Sequence, residues 1–280
     1  RLHGMQEVRG SIPLSSTTMP VDREDGLAFD IQFNHGWVDF AELTELALLA
    51  ECAGFHTLWV ADHLSGVSMN APSMPECFTT LGGLAAVTSR IGLGSLVANS
   101  QLRHPAVLAN AAATVQQISS GRFTLGIGAG ASPSSPFAAE LVAAGMEVPA
   151  TLKERHTALV QDIEFIKRIW SNESTVQFQG FLVPDPRPKI IIGVNSPELA
   201  RVAVDHVDGL NVRATHPKLD EILTIAAGRI ESSVWVPLDA TLFDADDERI
   251  SMWAERGVTR VVAVMTGRPE KSVVEKLVIK

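Results

Sequence analysis

Two cysteines in 280 residues, Cys52 and Cys77, make neither a CxxC pair nor a disulfide framework. That scarcity excludes a small cross-linked secreted domain and fits a reducing, cytoplasmic setting. Basic residues are also the minority. The 23 Lys and Arg stand against 32 Asp and Glu, a formal charge of -9 that opposes a nucleic-acid backbone. No apolar run approaches the roughly 18 residues of a membrane span, and Arg1 to Gly26 has no apolar centre of the kind a secretory signal carries. The sequence does not repeat itself, which excludes a solenoid. What these absences leave is a soluble chain, 46% hydrophobic, whose length suits one α/β barrel better than two average domains.

What the chain does have is a rhythm. A Ser/Thr/Pro-rich lead, residues 1–26, reads as a loose arm or in part a cloning remnant, and strand and helix patterns then alternate over residues 27–280. Leu27, Phe29, Ile31 and Phe33 alternate with Ala28, Asp30 and Gln32, the signature of a strand with two different faces. Phe40, Leu43, Ala47 and Ala50 then recur at helical spacing, and Gly54 stands where a helix ends. Further strands are predicted at Thr57–Ala61, Ile91–Val97, Phe123–Gly128, Ile190–Val194, Gly209–Val212, Val234–Leu238 and Val261–Val264. Helices are predicted at Cys77–Thr88, Pro105–Ile118, Leu152–Trp170, Pro197–Asp205, Leu219–Ile230, Asp246–Arg256 and Pro269–Leu277. Pro105, Pro197 and Pro269 take first-turn positions, where proline sacrifices no helical hydrogen bond. Alternation without hairpin signals implies a parallel sheet, and about eight repeats close it into a single (β/α)8 TIM barrel. A doubly wound Rossmann sheet is the alternative. It needs GxGxxG after the first strand, where the chain reads Asn34-His35-Gly36-Trp37.

Barrels of this kind place their chemistry in the loops after the strands, and here those loops are polar. They offer Asn34 and His35, Asp62 and His63, the stretch Asn99 to His104, Gly128 to Ser132, and Asn195 with Ser196. Asp62-His63 is a carboxylate beside an imidazole, a pair able to hold and relay a proton. Neighbours on an extended backbone point to opposite faces, so one of the two is expected to reach the site; Asp62 capping the next loop is the structural alternative. His35 is a further catalytic candidate. Gly126, Gly128 and Gly130 share one face of their strand, and Gly92 and Gly94 do the same on the strand before. Such bare faces either admit a flat ring or a phosphate, or relieve crowding inside the barrel. Ser196 suits a helix N-cap, and with Asn195 it could seat a phosphate. A Schiff-base lysine is poorly supplied, because Lys189 opens its strand at the wrong end and Lys218 is the only lysine in a top loop. The first strand carries no HxH, so no metal is expected. Residues 131–149 are Ala/Ser/Pro-rich with few charges, which reads as an apolar or a mobile entrance and names no substrate. Redox chemistry carried by an organic cofactor fits best.

Three stretches also carry a resemblance. They are Thr88-Ser89-Arg90-Ile91-Gly92-Leu93-Gly94, Arg103-His104-Pro105-Ala106-Val107-Leu108-Ala109, and Ile118-Ser119-Ser120-Gly121-Arg122-Phe123-Thr124-Leu125-Gly126-Ile127-Gly128-Ala129-Gly130. In order and spacing they resemble the central signature of the luciferase-like monooxygenase superfamily. Trp59 to His63 is similar to its second-strand motif, and Ile192-Gly193 through Asp208-Gly209 to its fifth and sixth strands. Within the superfamily the closer likeness is to members that use the 8-hydroxy-5-deazaflavin coenzyme F420. The resemblance implies a cytoplasmic oxidoreductase that moves a hydride to or from a small organic substrate. An FMN-dependent monooxygenase or reductase and a flavin-binding barrel without turnover are its alternatives. It places the ring by Ser95, Leu96 and Ala98, a bulge with a non-proline cis peptide in the third strand at Ser95-Leu96, and the phosphate side by Gly128, Ala129, Gly130, Gly193, Asn195 and Ser196. Asp62 and His63 match a pair near ring and substrate in sugar-phosphate-oxidising relatives. Those relatives carry a glutamate and a tryptophan where this chain has Ala131 and Val67, so glucose 6-phosphate oxidation is not expected. Apolar helices such as Leu152–Trp170 serve either a homodimer interface or the barrel core.

Overall fold

The structure is a computed structural model that describes residues 26–171, 176–239, 241–243 and 247–277. The expected arm before Gly26 and the expected helix start at Asp246 lie outside the described residues. The strands are β1 (Ala28–Phe33), β2 (Thr57–Val60), β3 (Gly92–Ser95), β4 (Ala98–Asn99), β5 (Phe123–Gly128), β6 (Lys189–Val194), β7 (Gly209–Arg213), β8 (Glu231–Pro237) and β9 (Arg260–Met265). All pair in parallel, β1 joins β9, and the pairing of β3 with β5 closes the ring. The helices are α1 (Phe40–Ala53), α2 (Cys77–Val87), α3 (Pro105–Ile118), α4 (Ala139–Ala143), α5 (Leu152–Trp170), α6 (Pro197–Ala203), α7 (Leu219–Ala226), α8 (Glu248–Glu255) and α9 (Lys271–Val274). Among the described residues no helix is long and apolar enough to cross a membrane.

The ring has eight staves because β3 and β4 are two pieces of one. Leu93 pairs with Phe123, an offset of 30 residues, whereas Ala98 pairs with Ile127, an offset of 29. One extra residue therefore sits between the pieces, as in a β-bulge. The strand expected over Ile91–Val97, with a bulge implied by the resemblance, forms as two segments with the bulge between them. The non-proline cis peptide joins Leu96 to Val97, one residue later than the resemblance implied. Pro269 also needs correction: α9 begins at Lys271 with Glu270 as its N-cap, so that proline precedes the first turn. Pro105 and Pro197 do open their helices.

Alternation along each strand sorts the two layers of the core. Phe29, Ile31 and Phe33 face outward into the layer between staves and helices, each worth roughly 1.5–3 kcal/mol of burial. The inner layer is separate and holds Trp59, Ile191, Val262 and Val264, with Leu96 and Trp235 packed on it. At its lower end Asp30 lies fully buried, receiving Trp59 Nε1 at 2.7 Å and Arg260 Nη1 at 2.7 Å. Burial pushes the Asp30 carboxyl up, and Arg260 and Trp59 oppose that shift. The signature residues outside the strands fasten the same lower end. Glu51 on α1 accepts the backbone amides of Ser89, Arg90 and Ile91, and Arg122 donates to the carbonyls of Ala85, Thr88, Ile91 and Ser119.

Helix ends follow local chemistry. Asp39 caps α1 by accepting the Glu42 amide, and Gly54 ends that helix at φ 91°. Thr151 and Glu154 form a reciprocal capping box at the start of α5. About two turns further along α5, Asp162 is half-buried, and burial pushes its carboxyl from 3.8 up to about 6 against the pull of His104. Ionisation is then resisted in the fold but not in the unfolded chain. The resulting penalty is absent below 3.8, grows through the window and is complete above about 6, so stability falls as pH rises. After discounting for solvent screening it amounts to about 1–2 kcal/mol. Asp162→Asn should therefore raise the urea midpoint at about pH 7.5 and leave it unchanged at about pH 4. Equal midpoints for variant and wild type at the higher pH would show that this carboxyl titrates normally.

Candidate active site

The loop leaving β2 is held by the segment that follows β5. Glu140 on α4 receives His63 Nδ1 at 2.7 Å on one carboxylate oxygen and the backbone amides of Leu64 and Ser65, both at 2.9 Å, on the other. The Glu140 side chain is 2% exposed and that of His63 21%, so a buried acid supports a half-open imidazole. His63 Nε2 has no hydrogen-bond partner among the described residues. Phe137 lies tilted beside the imidazole, and the exposed side chains of Leu64, Val67 and Phe137 make this rim apolar. Residues 131–149 were read as poor in charge, yet one of their two acids, Glu140, is a central contact of the site. An isolated acid in an apolar stretch was the available signal.

Asp62, expected to work with His63, turns the other way. It is buried and receives Arg103 bidentately at 2.6 and 2.8 Å, and it also accepts the Asn99 amide at 2.9 Å. The carboxylate therefore ties the loop after β2 to the segment after β4, the capping alternative raised by the sequence. Its partner Arg103 is drawn further by Glu76. His35 is buried too; the Pro75 carbonyl at 3.2 Å can only accept, so Nε2 donates and Nδ1 is left without a partner. Burial pushes this imidazole down, which keeps it neutral. Among the described residues no cluster of His, Cys, Asp or Glu is placed to hold a metal ion.

The residues expected around a ring divide into two groups. Ser95 and Ala98 are fully buried, and Ser95 Oγ donates to the Gly126 carbonyl at 2.8 Å, so neither side chain is presented to the mouth. Leu96 is half-buried and reaches the inner layer beside Trp235 and Val264. The glycine faces are occupied by protein. A Cβ on Gly94 would meet the Trp59 ring at 2.2 Å, one on Gly126 the Ser95 carbonyl at 2.0 Å, and one on Gly128 the Val97 side chain at 2.7 Å. Gly193 faces Val97 as well. Ser95 and Val97 of the bulge take up the space beside Gly126, Gly128 and Gly193, and the Trp59 ring takes up that beside Gly94.

Ala129 and Gly130 lie at the rim; Gly130 has φ 71°, and its bare side faces the side chains of Gln101 and Asn99. Gln101 donates to the Ala129 carbonyl at 3.0 Å and keeps a buried Oε1 without a partner. Asn195 is exposed, its carbonyl receiving His216 Nε2 at 3.0 Å, and Ser196 caps α6 through the Leu199 amide. Hydrogen bonds from its own amide and from Ser196 hold the Glu198 carboxyl below the usual range at this helix start. On the neighbouring stave Arg213, the last residue of β7, stacks on Trp235 of β8 at 5.1 Å.

Eight parallel staves, outer helices and a mouth ringed by the loops after the strands define an enzyme-type (β/α)8 barrel. The chain belongs to the luciferase-like monooxygenase family, whose model matches residues 20–227. An F420-dependent glucose-6-phosphate dehydrogenase of Nakamurella multipartita is 33% identical over 181 residues, 60% of this chain and 51% of that enzyme. The enzyme of the same description from Kineococcus radiotolerans is 30% identical over 244 residues, 78% of this chain and 70% of that one. The chain therefore spans about half the length of the first relative and more of the second. Among solved structures, the coenzyme F420 dependent tetrahydromethanopterin reductase from Methanopyrus kandleri superposes with a TM-score of 0.66, covering 91% of this chain and 97% of that one. At 18% identity this is a likeness of fold.

Proposed function

We propose that this chain is a coenzyme F420-dependent oxidoreductase that moves a hydride to or from a small organic substrate. The observation that carries the reading is His63, half-open at the end of β2 with Nε2 unpartnered, in a barrel whose named relatives are F420-dependent. Leu96, Trp235 and Val264 belong to the apolar inner layer, which suits a flat ring, and the buried, unpartnered Gln101 Oε1 beside Ala129 is an acceptor still to be satisfied. Leu96, Ala129, Gly130, Asn195 and Ser196 are the residues that would hold the cofactor; Gly128 and Gly193 would act through Val97, which they accommodate. Bound there, a deazaflavin supplies hydride chemistry, and the protein's own part is orientation and the handling of a proton. His63 is the group assigned to that proton, because imidazole can give or take one near neutral pH.

Anaerobic titration with F420 and with FMN, followed by absorbance and fluorescence, tests the assignment. F420 should bind at least about tenfold more tightly than FMN. A preference for FMN would overturn it in favour of a flavin enzyme on the same barrel.

A further inference from the structure

Glu140 does two separable things at once. One carboxylate oxygen receives two backbone amides and fastens the loop after β2; the other receives the His63 ring. A carboxylate oxygen at that position can only accept, so Nδ1 must carry a proton and donate it. In the neutral ring this leaves Nε2 as the lone-pair nitrogen. We infer that Glu140 is the positioning residue of the site, fixing the tautomer and the orientation of His63 so that Nε2 is the atom that takes or returns the proton. The inference rests on the proposed role of His63. It does not depend on the identity of the substrate.

The surroundings support it. Glu140 is buried, so its hydrogen bonds are not traded with water, and three donors converge on one carboxylate. The other acid near this loop is committed elsewhere, since Asp62 is held by Arg103 and the Asn99 amide. Phe137 lies beside the imidazole with ring centroids 6.1 Å apart, an apolar neighbour that offers it no competing hydrogen bond.

Glu140→Gln separates positioning from mere fastening. The two amides demand an acceptor, so the glutamine carbonyl must face Leu64 and Ser65, and its NH2 group then faces His63. That group donates, so the ring must accept at Nδ1 and carry its proton on Nε2. The tautomer inverts while the loop stays fastened. Nitrogen-15 NMR of the imidazole in the chain without cofactor reads this directly: the wild type should show a protonated Nδ1 in its neutral form, the variant a protonated Nε2. With F420 loaded, the same variant should bind the cofactor within about threefold of wild type and lose at least about tenfold in single-turnover rate. An unchanged tautomer in a folded Glu140→Gln variant would overturn the positioning role. An inverted tautomer with an unchanged rate would leave the Glu140 contact intact and remove His63 from the chemistry, which is the failure of the functional reading. Should the variant not fold, the wild-type spectrum alone decides, because a neutral ring protonated on Nε2 contradicts the inference.

Discussion

His63→Ala is expected to bind F420 almost as well as the wild type and to slow the chemical step by about 100- to 10,000-fold, the range a positioned acid or base supplies. The substitution removes a half-open imidazole at the mouth whose second nitrogen is unpartnered among the described residues, and it leaves the Leu64 and Ser65 amides bound to Glu140. Single-turnover measurement on the loaded enzyme separates chemistry from binding. Asp62→Asn is the comparison. Asp62 sits in a buried ion pair with Arg103, so its loss should lower stability, by about 3–5 kcal/mol for a broken buried pair, and leave the rate of the folded enzyme near wild type. A His63→Ala enzyme that reacts at the wild-type rate would return the histidine to a structural role. His35, neutral and with an unpartnered Nδ1, would then be the next candidate.

Chain-local signals carried most of the fold. Phe123–Gly128, Pro105–Ile118 and Leu152–Trp170 form over the spans expected because alternation, an N1 proline and helical spacing all act within a few residues. The site was less legible, because its decisive contacts join distant positions. His63 and Glu140 are 77 residues apart, and nothing near Glu140 announces its partner. The bulge was legible only through the family resemblance, not from local pattern, because its one-residue register shift is a property of how β3 and β4 pair with β5. Even the shared signature misleads if it is read as a list of ligand contacts. Arg122 and the amides of residues 89–91 close the lower end of the barrel, and Arg103 serves Asp62.

The glycines show the same point in a form that can be measured. A ligand cradle predicts that a side chain at Gly126 or Gly128 leaves the fold and abolishes cofactor binding; packing against the bulge predicts that the fold itself suffers. Gly126→Ala would bring Cβ to 2.0 Å from the Ser95 carbonyl, a backbone atom of a paired strand that cannot move aside. A loss above about 3 kcal/mol is expected, enough to leave little folded protein. Gly128→Ala meets only the Val97 side chain, at 2.7 Å, and should cost about 1–3 kcal/mol. Here the obstacle can be removed. Val97→Ala alone opens space and destabilises, but combined with Gly128→Ala it should return part of the lost stability, a favourable coupling of about 1 kcal/mol or more in a double-mutant cycle of urea unfolding. Independent, additive losses would show that the methyl group and Val97 do not compete for one space. The refolded pair then poses the final question to F420. Binding near wild type would assign Gly128 to the packing of the bulge, and loss of binding in a stable double variant would restore this glycine to the cofactor's own seat.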